Sequence, residues 1–436
     1  MNLLDQLTGR ADQAEIFTTN GETTTVGFKA NELRSAEVSE SSGTSLRVLA
    51  NGRLGFAGTT DPEAQAQLVE NVLASAQHSD EVPLRFPGPQ PGPAVQVYDA
   101  DLARLSIADL SEMGREIIAT IRQAEPDVHV EMELERGVRQ WELANTAGLH
   151  VGDEHSTLSL SIMVERVRED DILIVFDYFA TTTLVDGDTP LDFARDIARR
   201  LELARRDATL VGGEMPVLFS PRGAVVLALP LDAGLNGKNV FMGISPLAGR
   251  VGEQVFDERL TVVDDGTLDG RPGSASHDAE GVPHRRHTLI ENGVLRGFLY
   301  DLKTAALSGP EVESTGHGSR GIFSPPSPSA TNTVVAGGEA SLEDLLAQMG
   351  RGLLVESVLG LGQGNVISGA FSNTLGLAYV VEGGEVVGRV KDVSIAGNVY
   401  QDLQHVQAIS REGAWVYGDT WLPHILLPAL NVVTKG

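Results

Sequence analysis

A hairpin signal within residues 287–300 is the local feature that most constrains the fold. Asn292 and Gly293 stand between two apolar runs, and an Asn-Gly pair supplies the positive φ angles of a two-residue type I′ turn. Acidic and glycine-rich segments precede this hairpin at residues 262–266 and 278–283, and the sequence Ser-Thr-Gly-His-Gly follows it at residues 314–318. Each segment alone is typical of a polar turn, so their order and spacing carry the information.

The whole chain predicts an α+β fold, with an N-terminal α/β part of antiparallel sheets and packed helices and a C-terminal, mostly antiparallel β domain. Helices are expected at residues 62–77, 106–124, 190–206 and 341–349, with Ser106 and Thr189 as N-caps. Residues 15–59 predict several short strands, with turns at residues 20–21, 42–43 and 51–52. Alternating prolines make residues 86–93 an extended connector. The expected parts are an N-terminal α+β module at 1–85, a second α+β module at 86–210 and the β-rich domain at 211–436.

Composition excludes several classes of function. The chain has no cysteine, which excludes disulfides, thiol nucleophiles and cysteine-ligated metal sites. A formal net charge of −27 disfavours contact with a nucleic-acid backbone. The N-terminal residues are charged, and no apolar run of membrane-spanning length occurs. We therefore expect a cytoplasmic protein that contacts neither nucleic acid nor membrane.

The order of these segments resembles the TldD/PmbA family, often labelled modulators of DNA gyrase. The resemblance covers residues 15–400 and is strongest over residues 216–397, where motifs lie at residues 349–355, 360–364, 367–369 and 395–398. The last three motifs and residues 314–317 look like the TldE (PmbA) branch. In this family TldD and TldE subunits form a cytoplasmic zinc peptidase. The net charge of −27 argues against interpreting the gyrase label as DNA contact.

The catalytic branch of that family carries His-Glu-x-x-x-His on a helix, followed later by a Cys ligand. By resemblance, the equivalent helix here is residues 220–237, and two alignments differ by one residue. The first ligand becomes Leu227 or Ala228, the base Ala228 or Leu229, and the second ligand Asp232 or Ala233. Zinc requires three or four N, S or O donors, so we expect this chain to bind none.

Two local features bear on this helix. Ser220 is expected to be its N-cap, with Pro221 at the first helical position. Pro230 is expected to kink or end it, because proline lacks an N–H group and collides with the preceding turn.

A surrogate metal site is conceivable at His277, His284 and His287, with Asp278 or Glu280 as a further ligand. In an extended segment, positions three apart point to opposite faces, and two arginines lie between His284 and His287. We therefore expect no metal there. His317 in the Thr-Gly-His-Gly turn is expected to line a cleft or to form structural hydrogen bonds.

The resemblance implies a TldE/PmbA-like subunit of a TldD/TldE-type zinc metallopeptidase that acts on unfolded or extended peptides. Zinc is expected only in a TldD-like catalytic partner, and pairing with that partner or with a second copy is expected through residues beyond Gly212. A stand-alone peptide-binding or scaffolding homodimer without protease activity is the alternative. An independent hydrolase is a third, but no Gly-x-Ser-x-Gly motif supports it. The candidate peptide-binding residues are Gly316, His317, Gly318, Gly360, Gly362 and Gly364.

Overall fold

The computed structural model describes residues 3–169, 171–185 and 187–434. In the N-terminal half, the helices are α1 (Leu3–Leu7), α2 (Gln65–Gln77), α3 (Ala100–Ala103), α4 (Ile107–Ala124) and α5 (Pro190–Leu203). The strands are β1 (Gln13–Lys29), β2 (Glu32–Ala50), β3 (Arg53–Thr59), β4 (Val128–Asn145), β5 (His150–Arg168) and β6 (Asp171–Thr181).

These six strands form one antiparallel sheet in the order β3-β2-β1-β4-β5-β6. The sheet therefore contains strands from both sides of residues 86–93. The module boundary at residue 85 stays a prediction.

Strand β1 is longer than the sequence predicts, and two of the predicted turns are wrong. Asn20 lies inside β1 and pairs with Ser42 of β2 and Gln140 of β4. Pairing along both edges of β1 outweighs the local tendency of Asn-Gly and Ser-Gly to turn. The chain instead reverses at Ala30 and Asn31, with φ angles of 51° and 69°. The predicted turn at residues 51–52 is confirmed.

The C-terminal half contains helices α6 (Val225–Leu235), α7 (Gly237–Phe241), α8 (Leu302–Ser308), α9 (Leu342–Met349) and α10 (Val399–Asp402). Its strands are β7 (Gly213–Phe219), β8 (Val262–Asp265), β9 (Arg286–Glu291), β10 (Val294–Leu295), β11 (Gly318–Ser319), β12 (Ser327–Pro328), β13 (Thr333–Val335), β14 (Arg351–Val358), β15 (Ala370–Glu382), β16 (Glu385–Arg389), β17 (Val393–Asn398), β18 (Ala408–Val416) and β19 (Thr420–Thr434).

Five of these strands close into a barrel, because β7 pairs with both β14 and β19 and the path between those two runs through β15 and β17. Most of the pairings are antiparallel. The predicted hairpin is confirmed as β9–β10, with Asn292 and Gly293 at φ angles of 49° and 76°. The α+β fold class is therefore confirmed.

Helix caps determine where the main helices begin. Ser106, Thr189 and Ser341 each form a capping box with an aspartate three residues later. Helices α4 and α5 share one apolar core with the inner face of the N-terminal sheet and with outward-facing barrel residues such as Leu218 and Leu354. This shared core fixes the sheet against the barrel and positions the cavity between them.

Helix α6 begins later than predicted and continues past Pro230. Residues 221–224 form turns, and the Ser220 hydroxyl accepts the Gly223 N–H at 3.2 Å where they begin. The helix itself starts at Val225 with Ala224 as N-cap, so the prediction of Ser220 as the N-cap of the helix is wrong. Pro230 does not end the helix, which continues to Leu235 inside the barrel-side core. Tertiary packing of its apolar faces outweighs the lost backbone hydrogen bond. Within the described ranges, no helix has the length and apolar character needed to cross a membrane.

Candidate functional site

A cavity of about 790 Å³ lies between the N-terminal sheet and residues 272–331 of the C-terminal half. Phe17, Thr19 and Arg139 line it on the sheet side. His317 and Gly318 line it on the other side. Gly316 is not among the lining residues.

His317 is held by hydrogen bonds at both ring nitrogens. Its Nε2 lies 2.7 Å from Oδ1 of Asp264, and its Nδ1 lies 2.8 Å from Oγ1 of Thr315. Thr331 donates its backbone N–H and its hydroxyl to the same aspartate. Burial alone would raise the pKa of Asp264, but the bonds from His317 and Thr331 hold that pKa below its usual value. His317 therefore has no free ring nitrogen for a metal ion.

Glycine is required on both sides of His317. Gly316 has a φ of 76°, and a Cβ there would lie 2.9 Å from the Pro283 carbonyl oxygen. A Cβ at Gly318 would lie 2.5 Å from Oε2 of Glu280. These glycines are therefore explained by packing within the protein.

A buried ionic network joins the two halves of the chain beside the cavity. Arg47 of β2 donates Nε and Nη2 to Glu15 of β1, both at 2.8 Å, and Nη1 to Glu280. Arg320 donates to Glu15 and, at 2.9 Å, to the Ser45 hydroxyl. All four charged side chains are at least nine-tenths buried. Mutual pairing is what makes their burial tolerable.

Asp278 is the acidic residue that lines the cavity, and its oxygens are already engaged. Oδ1 accepts the N–H groups of Glu280 and Val282 at 2.9 Å, and Oδ2 accepts that of Gly318 at 2.8 Å. Burial and the charge of Glu280 raise the pKa of Asp278, while the three N–H groups oppose that rise. The Asp278 side chain thus holds the turn at residues 278–282 against Gly318.

The expected zinc-helix positions lie on α6 and do not form a donor set. Leu227 and Ala228 are buried hydrocarbon side chains. The Asp232 carboxylate accepts a hydrogen bond from Thr333 at 3.4 Å. Burial and then the charges of Asp264 and Asp419 raise the pKa of Asp232 to about 7. These residues do not fit zinc, which takes three or four N, S or O ligands. In the other alignment Leu229 and Ala233 also lack donors.

The histidine geometry corrects the sequence argument about opposite faces. The rings of His284 and His287 lie 6.3 Å and 5.1 Å from that of His317, so both approach the same residue. Residues 281–285 precede β9 and do not form regular strand, which is why the alternation rule fails there. Among the described residues, no cluster of three or more His, Cys, Asp or Glu side chains is arranged to hold a metal.

Two of these histidines are neutral at pH 7. Burial first, and then the charge of His317, lower the pKa values of both His284 and His287 to about 4. The Nδ1 atom of His284 and the Nε2 atom of His287 have no hydrogen-bond partner within the described part of the chain. His277 differs, because its ring nitrogens lie 3.0 Å from the Ser276 hydroxyl and the Gln90 carbonyl oxygen.

The second group of candidate glycines lies elsewhere. Gly360 and Gly362 line a separate cavity of about 470 Å³, beside Leu229 and Pro230 of α6. Gly364 lines neither cavity, and all three have positive φ angles. The structure therefore does not bring the two sets of candidate residues together.

Arg139 is the cavity residue that the sequence reasoning missed. The outward positions of β4 are exposed acids at 131, 133 and 135, and then change to Gly137 and Arg139. This change from acidic residues to glycine and arginine is the sequence signal from which Arg139 could have been recognised as a candidate. The register with β1 and β5, which sequence alone does not give, places Arg139 opposite Gly21 and His155.

Comparison with known proteins agrees with this fold. Over 99% of both chains, the structure matches the crystal structure of TldE from Thermococcus kodakarensis, with a TM-score of 0.89 and 26% identity. The protein thus has the TldE-like α+β fold. Residues 212–434 match the PmbA/TldA metallopeptidase C-terminal domain, and residues 14–76 match PmbA/TldA metallopeptidase domain 1. The chain belongs to the PmbA/TldD metallopeptidase family.

Two curated relatives show how far the similarity extends. The metalloprotease PmbA of Escherichia coli O157:H7 is 26% identical over 432 residues, covering 94% of this chain and 90% of that one. The metalloprotease TldD homolog of Haemophilus influenzae is 32% identical over 230 residues. That match covers 52% of this chain and 47% of the relative, so it spans about half the length of each protein.

Proposed function

We propose that this protein is the TldE/PmbA-like subunit of a TldD/TldE-type zinc metallopeptidase that acts on extended peptides. The observation that carries the proposal is helix α6, where Leu227, Ala228 and Asp232 occupy the expected ligand and base positions. The catalytic zinc then comes from a TldD-like partner. Similarity to PmbA and to TldE over most of the chain supports the TldE assignment.

The partner surface is proposed in the C-terminal half, around helix α7. Phe241, Met242 and Ile244 are 47–49% exposed there, which is unusual for large apolar side chains and typical of contact surfaces. The proposed partner is a TldD-like subunit, or a second copy when that subunit is absent. The proposal also retains a cytoplasmic location and no contact with nucleic acid, consistent with the net charge of −27.

Affinity capture of the tagged chain from its native lysate, followed by mass spectrometry and reconstitution, tests the complex. We expect a TldD-like protein to co-purify, and we expect peptide cleavage only when both chains are present. Phe241→Glu combined with Ile244→Glu should abolish capture, whereas Val211→Glu, at an exposed position near the start of the C-terminal half, should not. Cleavage by this chain alone would contradict the proposal.

The peptide is proposed to bind in one of the two cavities, and two exposed side chains separate them. Phe323 is 69% exposed beside the larger cavity, and Leu359 is 56% exposed beside the smaller one. Their replacement by alanine removes little buried area, so folding should be unaffected. Gly318→Val is a poorer probe, because its side chain would collide with the buried Glu280.

Fluorescence polarisation with a labelled extended peptide gives the comparison. We expect Phe323→Ala to weaken binding several-fold, with Leu359→Ala and the exposed control Val211→Ala at wild-type affinity. Thermal midpoints should agree for all four proteins. If the Phe323→Ala variant binds the peptide as tightly as the wild type, the peptide does not bind in the larger cavity. If only Leu359→Ala weakens binding, the peptide binds in the smaller cavity.

A further inference from the structure

Arg139 is a cation without an ion-pair partner among the described residues of a strongly acidic protein. The chain has 60 acidic and 33 basic residues, yet no carboxylate of the described residues forms an ion pair with this guanidinium. Its Nε donates to the Thr19 hydroxyl at 3.1 Å. Desolvation lowers its pKa from the usual value, and no neighbouring carboxylate offsets this effect. The guanidinium nevertheless stays charged at neutral pH.

The surroundings of Arg139 leave its outer nitrogens available to a ligand. It lines the larger cavity and is solvent-accessible. Asp278, the acid lining the same cavity, is occupied by three backbone N–H groups. Asp153, on the neighbouring strand β5, accepts the backbone N–H and the hydroxyl of Ser276 at 2.9 Å and 2.7 Å. Within the described part of the chain, neither acid forms an ion pair with the arginine.

Small and hydroxyl-bearing residues keep the space around Arg139 open. Gly21 faces it across the β1–β4 pair, and Gly137 is the next residue on the same face of β4. Thr19 and Thr157 line the cavity beside these glycines. The site therefore combines one planar cationic group, hydroxyl donors and room for an extended chain.

We propose that Arg139 receives a carboxylate of an extended peptide bound in the larger cavity. A guanidinium offers two parallel N–H groups that match the two carboxylate oxygens, and a partly desolvated site strengthens that pairing. The carboxylate is that of the peptide C-terminus or of an acidic side chain, and the two sources share this chemistry. The inference rests on the proposed peptide-binding function and adds a specificity-determining residue to it.

Three peptides of the same length and neutral sequence test the proposal by isothermal titration calorimetry. One ends in a free carboxylate, one ends in an amide, and one ends in an amide but contains an internal glutamate. Loss of a charge-assisted pair corresponds to about a 10-fold or larger loss of affinity. We expect the neutral amide peptide to bind at least about 10-fold more weakly than one of the two peptides that carry a carboxylate. Whichever of those two peptides binds more tightly shows whether the bound carboxylate is the C-terminus or the glutamate side chain.

Variants assign the effect to Arg139. Arg139→Gln should abolish the preference for a carboxylate, and Arg139→Lys should retain part of it. Arg104→Gln makes the same change of charge in an exposed pair with Asp101, so its binding should match the wild type. Gly21→Leu fills the space opposite Arg139, where a Cβ would lie 3.3 Å from the Ser41 hydroxyl oxygen, and should weaken binding of all three peptides. Its thermal midpoint is measured beside that of the wild type, so that a loss of stability is told apart from a loss of space.

The outcomes separate this inference from the proposed function. Equal binding of all three peptides by the wild type, unchanged in Arg139→Gln, overturns the inference and leaves peptide binding standing. Failure of all three to bind overturns both. Competition by inorganic phosphate as strong as that by acetate overturns the assignment to carboxylate.

Discussion

Replacing Asp232 by asparagine tests the assignment of α6 as a helix that holds no metal. Asp232 occupies an expected ligand position and accepts a hydrogen bond from Thr333. Burial and the charges of Asp264 and Asp419 raise its pKa from 3.8 to about 7. Asparagine has nearly the same shape and keeps the acceptor for Thr333, but it carries no charge.

The raised pKa predicts both the sign and the size of the effect. The folded state binds the Asp232 proton more tightly than the unfolded state, so this group makes stability fall as pH rises from about 4 to about 7. Each pKa unit corresponds to about 1.4 kcal/mol, so the full penalty above neutrality is at most about 4 kcal/mol. Asparagine avoids this penalty, and the variant should be the more stable protein at alkaline pH.

Urea unfolding at pH values of about 5, about 7 and about 9 measures the difference. We expect the advantage of Asp232→Asn to be smallest at the lowest pH, to grow towards neutrality and to level off above it. Asp127→Asn, at an exposed position, should give no such trend. The assigned burial of this carboxyl would be refuted if the stability difference between Asp232→Asn and the wild type did not change with pH. It would also be refuted if the wild type were more stable than the variant at about pH 9. If added zinc raises the stability of the wild type at alkaline pH but does not raise that of the variant, the ionised Asp232 carboxylate is a zinc ligand.

Two further predictions concern the metal and the ionic network. Elemental analysis after dialysis against metal-free buffer should find well below one zinc per chain, because α6 lacks a donor set. Stoichiometric zinc in the wild type that is lost in the double variant His284→Ala/His287→Ala would contradict this prediction. Arg47→Gln should lower the free energy of unfolding by about 3–5 kcal/mol in urea, because it leaves Glu280 buried without its ion-pair partner and leaves Glu15 paired with Arg320 alone. Arg53→Gln, in the exposed pair with Glu81, should change it by less than about 1 kcal/mol, and equal losses would show that the buried network is not special.

Elements determined by local chemistry were predictable from sequence. The Asn292-Gly293 turn needs positive φ at both residues, which this pair adopts at little energetic cost. The helices that begin after Ser106, Thr189 and Ser341 follow from side chains that cap the first turn. In each case the deciding contacts join residues no more than a few positions apart.

Elements determined by distant contacts were not predictable in the same way. Gly21 lies in a strand because β2 and β4 pair with it on both sides, and β4 is more than one hundred residues away. Pro230 remains inside a helix because the surrounding barrel residues form a core around α6. Local propensity is weaker than the summed burial and pairing that oppose it.

The candidate site shows the same division. His317 stands in a motif that sequence can detect, but its partner Asp264 lies 53 positions earlier, and Glu280 lies 233 positions from Arg47. Arg139 belongs to no motif. Its proposed role depends on a strand register that brings it to the cavity, and on the lack of an ion-paired carboxylate among the residues that the structure describes.

The residues on α6 also indicate why a metal site would not return by one substitution. Leu227 is 1% exposed, and burial of a leucine side chain contributes about 2 kcal/mol that a histidine would not replace. A histidine placed there would need its nitrogens satisfied, while Ala228 offers no donor and Asp232 is engaged with Thr333. His317 is already bonded at both nitrogens. Stability in this region therefore comes from apolar packing and the Asp264–His317 pair, so zinc binding would require several coordinated changes.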